Sequence, residues 1–252
     1  MNRNDLAKWY DFTGQVIVLT GGAGILGGAM ARALASCGAS MVILDRAPEP
    51  AKVLLKQIEQ AGGKAIFIQS DVLDIGNLEK CRDQVMKEFG RVDALINGAG
   101  GNNPKATTSA QVPFFSLPTD ALRFVFDLNI LGTMLPSQVF GKVMADQKEG
   151  NIVNISSLNA FRPLTRIPAY SAAKAGVSNF TQWLAVHVAQ EYSPKIRVNA
   201  IAPGFFLTDQ NRFLLTNAQT GELTDRGKQI MAHTPMKRFG DPEDLLDRKS
   251  VV

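Results

Sequence analysis

The feature that most constrains this chain is a short apolar run, Val16 to Leu19, followed at once by Thr20-Gly21-Gly22-Ala23-Gly24-Ile25-Leu26-Gly27-Gly28. Apolar β-branched residues that stop at a cluster of glycines and resume with helical periodicity describe strand, turn and helix. Thr13 to Ala31 carries no charge and on length alone suits a membrane span, but its six glycines, Gln15 and two threonines argue against one. The same unit then recurs. Short runs rich in Val and Ile lie at Met41 to Leu44, Ala65 to Ile68, Ala94 to Ile96, Ile152 to Ile155 and Ile196 to Ile201. Between them, sets such as Met30, Ala33, Leu34 and Cys37, or Val53, Leu54, Ile58 and Ala61, follow the helical repeat. Strand alternating with helix predicts an α/β protein with a doubly wound parallel sheet, whose ligands bind beyond the carboxyl ends of the strands. Two connections on that side, Gly100 to Pro118 and Gly204 to Pro235, exceed ordinary loop length and are read as segments covering a substrate.

At 252 residues one core suffices, so residues 1–252 are expected to form a single domain. With 45% hydrophobic residues and a net charge of +4, disorder is excluded. The basic residues are scattered and form no nucleic-acid arm, which leaves small anionic ligands as the expected partners. Cys37 and Cys81, with His187 and His233, cannot supply a plausible zinc site, so no metal is expected. Arg3, Asp5, Lys8 and Asp11 precede any apolar run, so neither signal peptide nor membrane anchor is expected, and a reducing, cytoplasmic setting fits.

Gly22, Gly24 and Gly27 have the spacing G-x-G-x-x-G, which brings backbone amides against a pyrophosphate at a helix N-terminus. The second strand ends at Asp45, 21 residues after Gly24, where a carboxylate accepts hydrogen bonds from both ribose hydroxyls. The two together predict a dinucleotide. Asp45 repels a 2′-phosphate, so NAD is favoured over NADP, a preference that the adjacent Arg46 softens. Asp71 with Val72, and Asn97-Gly98-Ala99-Gly100, follow the third and fourth strands, where adenine and ribose would pass. Asp71 also suits a helix N-cap. Tyr170 and Lys174, four apart in a predicted helix Pro168 to Glu191, share one face, and Ser157 closes the fifth strand. An ammonium beside a phenol is expected to lower its pKa from about 10 and make it a usable acid and base.

In order and spacing, the glycine loop, Asn97-Gly98-Ala99-Gly100, Asn129, Ser157, Tyr170-Ser171-Ala172-Ala173-Lys174 and Pro203-Gly204 with Thr208 resemble the short-chain dehydrogenase/reductase family from Phe12 to Leu246. The resemblance implies a Rossmann-like fold, an enzyme acting on CH-OH groups, and a catalytic set of Ser157, Tyr170, Lys174 and Asn129, the last holding a relay water. It also implies cofactor contacts from Gly21, Gly24, Ile25, Leu26, Gly27, Asp45, Arg46, Asp71, Val72, Asn97, Ala99, Gly100, Tyr170, Lys174, Pro203, Gly204 and Thr208. Ile25 stands where the family pattern has glycine, which implies a variant loop path through Gly24. Within the family, Leu95 to Lys105 and Pro203 to Phe206 with Gln210-Asn211-Arg212 are similar to a sugar-acid branch that interconverts D-fructuronate and D-mannonate. A neighbouring branch reduces 5-keto-gluconate. Asn102, Asn159 and Gln210 are expected to meet hydroxyls, and Arg162, between Ser157 and Tyr170, the carboxylate. Lys105, Arg166 and Arg212 are further candidate cations.

Asp241-Pro242-Glu243-Asp244 reads as a helix start, after which the family continues through a further strand. That strand is expected to be missing here, which bears on the homo-oligomer, dimer or tetramer, that the resemblance implies and leaves a truncated, inactive dinucleotide-binding protein as an alternative. Asp247 to Val252 can be back-translated as the start of a sequencing-library adapter, and this tail is expected to be an assembly artefact.

Overall fold

The computed structural model describes residues 8–162, 166–208, 212–217 and 219–246. Six parallel strands, β1 (Val16–Thr20), β2 (Ser40–Asp45), β3 (Lys64–Gln69), β4 (Ala94–Asn97), β5 (Gly150–Ile155) and β6 (Ile196–Ile201), form one sheet in the order β3-β2-β1-β4-β5-β6. The helices between them are α1 (Ile25–Ser36), α2 (Pro48–Gln60), α3 (Ile75–Phe89), α4 (Thr119–Phe126), α5 (Gly132–Gln147) and α6 (Pro168–Glu191). All five residues of β1 are buried, as a strand covered on both faces requires. Its side chains alternate between two cores. Val16 and Val18 join Leu78, Val85, Phe140 and Val188 on one face. Ile17 and Leu19 join Met30, Ala31, Leu54 and Ile58 on the other. The predicted doubly wound α/β sheet is therefore present.

The long connections contain structure that periodicity did not disclose. The first carries two 3-10 turns, Pro104–Ala106 and Phe114–Ser116. The second carries two short helices, α7 (Arg212–Leu215) and α8 (Asp225–Ala232). The helix expected from Asp241 is a single 3-10 turn, Pro242–Leu245, held by a reciprocal capping box between Asp241 and Asp244. The tail at 247–252 lies outside the described residues.

Winding reverses between β1 and β4. The glycine loop leaves β1 and the Asn97-to-Gly100 segment leaves β4, and Thr20, fully buried, ties them together. Its Oγ1 accepts from the amides of Gly98 and Ala99, each at 3.2 Å. Gly21 has φ +66°, and a Cβ there would lie 2.8 Å from the Ala99 backbone. A Cβ on Gly27 would lie 2.5 Å from the Gly21 carbonyl oxygen. Gly24, expected to bear the variant loop path, instead is the N-cap of α1, where a Cβ meets only the Gly21 oxygen at 3.4 Å. Ile25 is accommodated because the tight approaches fall on Gly21 and Gly27. Gly21→Ala should therefore destabilise by about 3 kcal/mol or more, and Gly24→Ala by about 1 kcal/mol or less, in urea unfolding. Equal losses would place the steric demand elsewhere.

Candidate active site

The loop after β1 opens towards α1, whose first amides carry no side-chain cap and whose first turn contains no acidic residue. Asp45 closes β2 beside it. Its Oδ2 accepts from Ala23 N and its Oδ1 from Ala47 N, both at 3.0 Å, so the carboxylate fixes the loop as well as facing its outer side. Arg46 Nε lies 3.8 Å from Asp71 Oδ2 in an exposed pair. An uncapped helix start, a cradle that side chains at Gly21 and Gly27 would fill, and a carboxylate at the end of β2 fit a dinucleotide.

One expectation is corrected. Asp71 does not cap α3: its Oδ1 accepts from Leu73 N, and Asp74 is the cap, accepting from Asn77 N at 2.9 Å. The two carboxylates lie within one turn, and only the one whose backbone enters the helix can cap it. Val72 is buried, with Gly132 at the start of α5 close against it. Asn97 is 1% exposed, and its Nδ2 donates to Ser137 Oγ and Asn154 Oδ1, which holds the side chain in the core between β4, β5 and α5. The backbone amide of Ala99 is engaged with Thr20. Leu26 lies in the first turn of α1.

Ser157, Tyr170 and Lys174 come from β5 and α6. Ser157 follows the end of β5, and its Oγ accepts from Asn159 N at 3.2 Å. Pro168 sits in the first turn of α6, a position proline favours, which puts Tyr170 and Lys174 one turn apart near the helix start. Lys174 is 3% exposed, and its Nζ donates to the Ile155 carbonyl at 2.7 Å and lies 5.7 Å from the centre of the Tyr170 ring. Burial lowers Lys174 to about 8. Burial also pushes the Tyr170 phenol above its ordinary value, offset in part by a hydrogen bond with Ser157. This corrects the expectation of a phenol lowered by the ammonium. The ammonium is committed to the Ile155 carbonyl, and desolvation of the phenolate dominates.

Asn129 is fully buried in a π-helical turn, Asp127–Leu131, between α4 and α5. Its Nδ2 donates to Val125 O and Gly101 O, both at 2.7 Å, and its Oδ1 accepts from Gly101 N. Gly100 lies between Asn129 and Lys174: a Cβ there would be 2.8 Å from Asn129 Oδ1 and 3.1 Å from Lys174 Nζ. The carbonyl of Pro203 accepts from Leu158 N at 3.0 Å, which sets Pro203 and Gly204 beside Ser157, and the Thr208 carbonyl accepts from Arg212 N. Asn102 donates to Thr107 Oγ1, Asn159 is buried, and Arg162 is exposed at the end of the 3-10 turn Leu158–Ala160. Gln210 lies outside the described residues. A hollow of about 300 Å³ between α6 and β6, with Phe161, Thr181 and Val198 in its wall, lies behind this cluster and is lined by none of Ser157, Tyr170 and Lys174.

The sequence reading passed over Thr20 and the Ile155 carbonyl. A threonine directly before a glycine loop was the available signal for the first; a backbone acceptor leaves none. A serine hydroxyl, a phenol and a buried ammonium gathered beyond the strand ends beside a dinucleotide seat can bind a carbonyl oxygen and pass it a proton.

Residues 15–219 match the short chain dehydrogenase family model, and the chain belongs to that family of oxidoreductases acting on alcohol and keto groups. It is 48% identical over 244 residues to an uncharacterised oxidoreductase of Bacillus subtilis, UxuB, covering 94% of this chain and 86% of the relative. Among solved structures it is similar to a Haemophilus influenzae protein with bound NAD, provisionally assigned as a D-mannonate oxidoreductase (46% identity, TM-score 0.87, covering 96% of this chain and 88% of that one). It is also similar to a provisionally assigned NAD(P)-dependent gluconate 5-dehydrogenase of Beutenbergia cavernae (27% identity, TM-score 0.81, covering 94% and 88%).

The value of about 8 for Lys174 lies below the ordinary 10.5, so between these pH values the folded chain binds fewer protons than the unfolded one. The cost of burying the charge is thus fully present below pH 8 and is relieved as the pH rises towards 10.5. Relative to Lys174→Met, the wild type should gain up to about 3 kcal/mol of unfolding free energy across that window. Parallel stability curves for the two proteins would contradict this.

Proposed function

We propose that this chain is an NAD-dependent oxidoreductase of keto and hydroxy sugar acids, interconverting D-fructuronate and D-mannonate. The observation that carries the reading is the convergence of Ser157, Tyr170 and Lys174 beside the Asp45-flanked glycine loop. NAD is the cofactor because a carboxylate at the end of β2 opposes a 2′-phosphate. The start of α1 would receive the pyrophosphate, Asp45 the adenosine ribose, and Lys174 with Pro203, Gly204 and Thr208 the nicotinamide end. When bound, the nicotinamide supplies the hydride.

The chain's own residues handle the proton. Ser157 donates a hydrogen bond to the substrate oxygen, and Tyr170 protonates it as negative charge develops there. A phenol raised by burial remains protonated near neutral pH, which suits the reducing direction. The Lys174 ammonium stabilises the phenolate left behind, and Asn129, whose side chain holds the Gly100-Gly101 backbone against that lysine, would hold the relay water. Asn102 and Asn159 offer amides to substrate hydroxyls, and the exposed Arg162 takes the carboxylate. The 46% identity to the Haemophilus influenzae protein supports D-mannonate. Likeness to the gluconate 5-dehydrogenase favours 5-keto-gluconate as the second reading. Free Cys37 and Cys81 accord with a cytoplasmic setting. The Phe180, Trp183, His187 and Tyr192 rings along the outer end of α6, with Trp183 57% exposed, support a homo-oligomer.

Loss of NADH absorbance should be faster with D-fructuronate than with 5-keto-gluconate. Tyr170→Phe should cut turnover by roughly 10²- to 10⁴-fold and leave NADH binding intact. Faster turnover of 5-keto-gluconate would select the second substrate, and full activity in Tyr170→Phe would remove the assigned proton donor.

A further inference from the structure

Apolar packing of a helix on a sheet is non-directional and leaves the helix free to settle along its own axis, whereas hydrogen bonds fix its register. The contact between β5 and α6 contains both. Ile152 of β5 joins the core on the α6 side with Leu184 and Val188, while Val153 and Ile155 turn to the opposite core. By the same alternation Asn154 and Ser156, both buried, face α6. Asn154 Nδ2 donates to Thr181 Oγ1 at 2.8 Å. Ser156 Oγ donates to the Lys174 carbonyl at 3.2 Å and lies 2.6 Å from Ser178 Oγ, which itself donates to that carbonyl at 3.1 Å. Residues 174, 178 and 181 share one helix face, so a polar seam runs along the contact.

Three consecutive residues thus hold the proton-transfer pair. The Ile155 carbonyl takes Lys174 Nζ at 2.7 Å, the Ser156 hydroxyl takes the main-chain carbonyl of the same lysine, and Ser157 meets the Tyr170 phenol. Ser156 is itself fixed in the sheet, its N donating to the Ile201 carbonyl at the end of β6 at 2.8 Å. Lys174 is therefore held at both ends of its side chain. Held at its tip alone, a long side chain flexes and lets the helix move, and the Lys174–Ile155 and Tyr170–Ser157 contacts are then not made together.

We propose that Ser156 is a positioning residue: with Ser178 it sets the register of α6 on β5, so that Lys174 and Tyr170 reach Ile155 and Ser157 at once. This rests on the assignment of Tyr170 as proton donor and gives its geometry a cause. The two hydroxyls are not equivalent. Ser178 and Lys174 both belong to α6, so loss of Ser178 leaves the direct bond from Ser156, whereas loss of Ser156 cuts the hydroxyl link to the sheet. In either case the remaining hydroxyl keeps the Lys174 carbonyl as acceptor, and no buried group is orphaned.

Burial is the cause of the lowered Lys174 value, so its titration reports how well the lysine is seated. Tyr170 is the titratable group that faces it; the Ile155 carbonyl, Gly100 and Asn129 carry no charge. The test combines reduction of D-fructuronate by NADH, urea unfolding, and an NMR titration of the full chain with isotope-labelled lysine, in which Lys174→Met identifies the resonance. Ser156→Ala should lower kcat by about 10- to 100-fold and Ser178→Ala by about 3-fold or less, with similar urea midpoints. The Lys174 titration should rise from about 8 towards 10.5 in Ser156→Ala and stay in place in Ser178→Ala. Ser156→Thr, which keeps the hydroxyl, should recover most of the activity. Equal effects of the two alanine variants, wild-type kcat and titration in Ser156→Ala, or failure of that variant to fold would each overturn the proposal. A wild type that does not reduce D-fructuronate would overturn the substrate reading instead, and the Lys174 titrations would then decide the role of Ser156 by themselves.

Discussion

The rest of the molecule depends on the reversal of winding between β1 and β4. Parallel strands buried on both faces leave nowhere in the sheet for polar chemistry, so it gathers where the chain leaves the strands. The crevice opens where neighbouring strands send their connections to opposite sides. Thr20 fixes its width by holding the Gly98 and Ala99 amides, and Gly21, with no side chain, lets the two connections touch. Gly100, three residues beyond the end of β4, then lies against Asn129 and Lys174. One geometric fact thus places both the dinucleotide seat and the proton-handling groups.

The electrostatics follow from the same burial. Lys174 is an ammonium almost without solvent, held by one backbone carbonyl and lowered to about 8. Tyr170 moves the other way, because desolvation opposes charge of either sign. In consequence the phenol keeps its proton and the lysine is poised to lose its own, two groups of nearly equal ordinary value driven apart by the same burial. Asn97, Ser137, Asn154 and Thr181 form a buried polar network beneath them, connecting β4 and β5 to α5 and α6 on one face of the sheet.

Much of the fold was legible in the sequence because its signals are local. Val and Ile runs marked the six strands among the described residues, and Pro168 to Glu191 has the bounds expected of it. The four-residue spacing of Tyr170 and Lys174 fixes their common face whatever surrounds the helix. What the sequence left hidden depends on distance through space. Asn97 reads as a polar residue at a strand end, and only packing turns it into the core. Asp71 and Asp74 are equivalent as letters and differ by which one meets the first turn of α3.

The central claim is that this site moves a hydride between NADH and the carbonyl of a sugar acid. NADH deuterated on the transferring face of C4, incubated with D-fructuronate and the full chain, tests it directly by mass spectrometry of the isolated product. The account predicts D-mannonate heavier by one deuterium, bound to the new carbinol carbon. D-mannonate formed without deuterium, or oxidation of the cofactor with no reduced sugar acid, would contradict it.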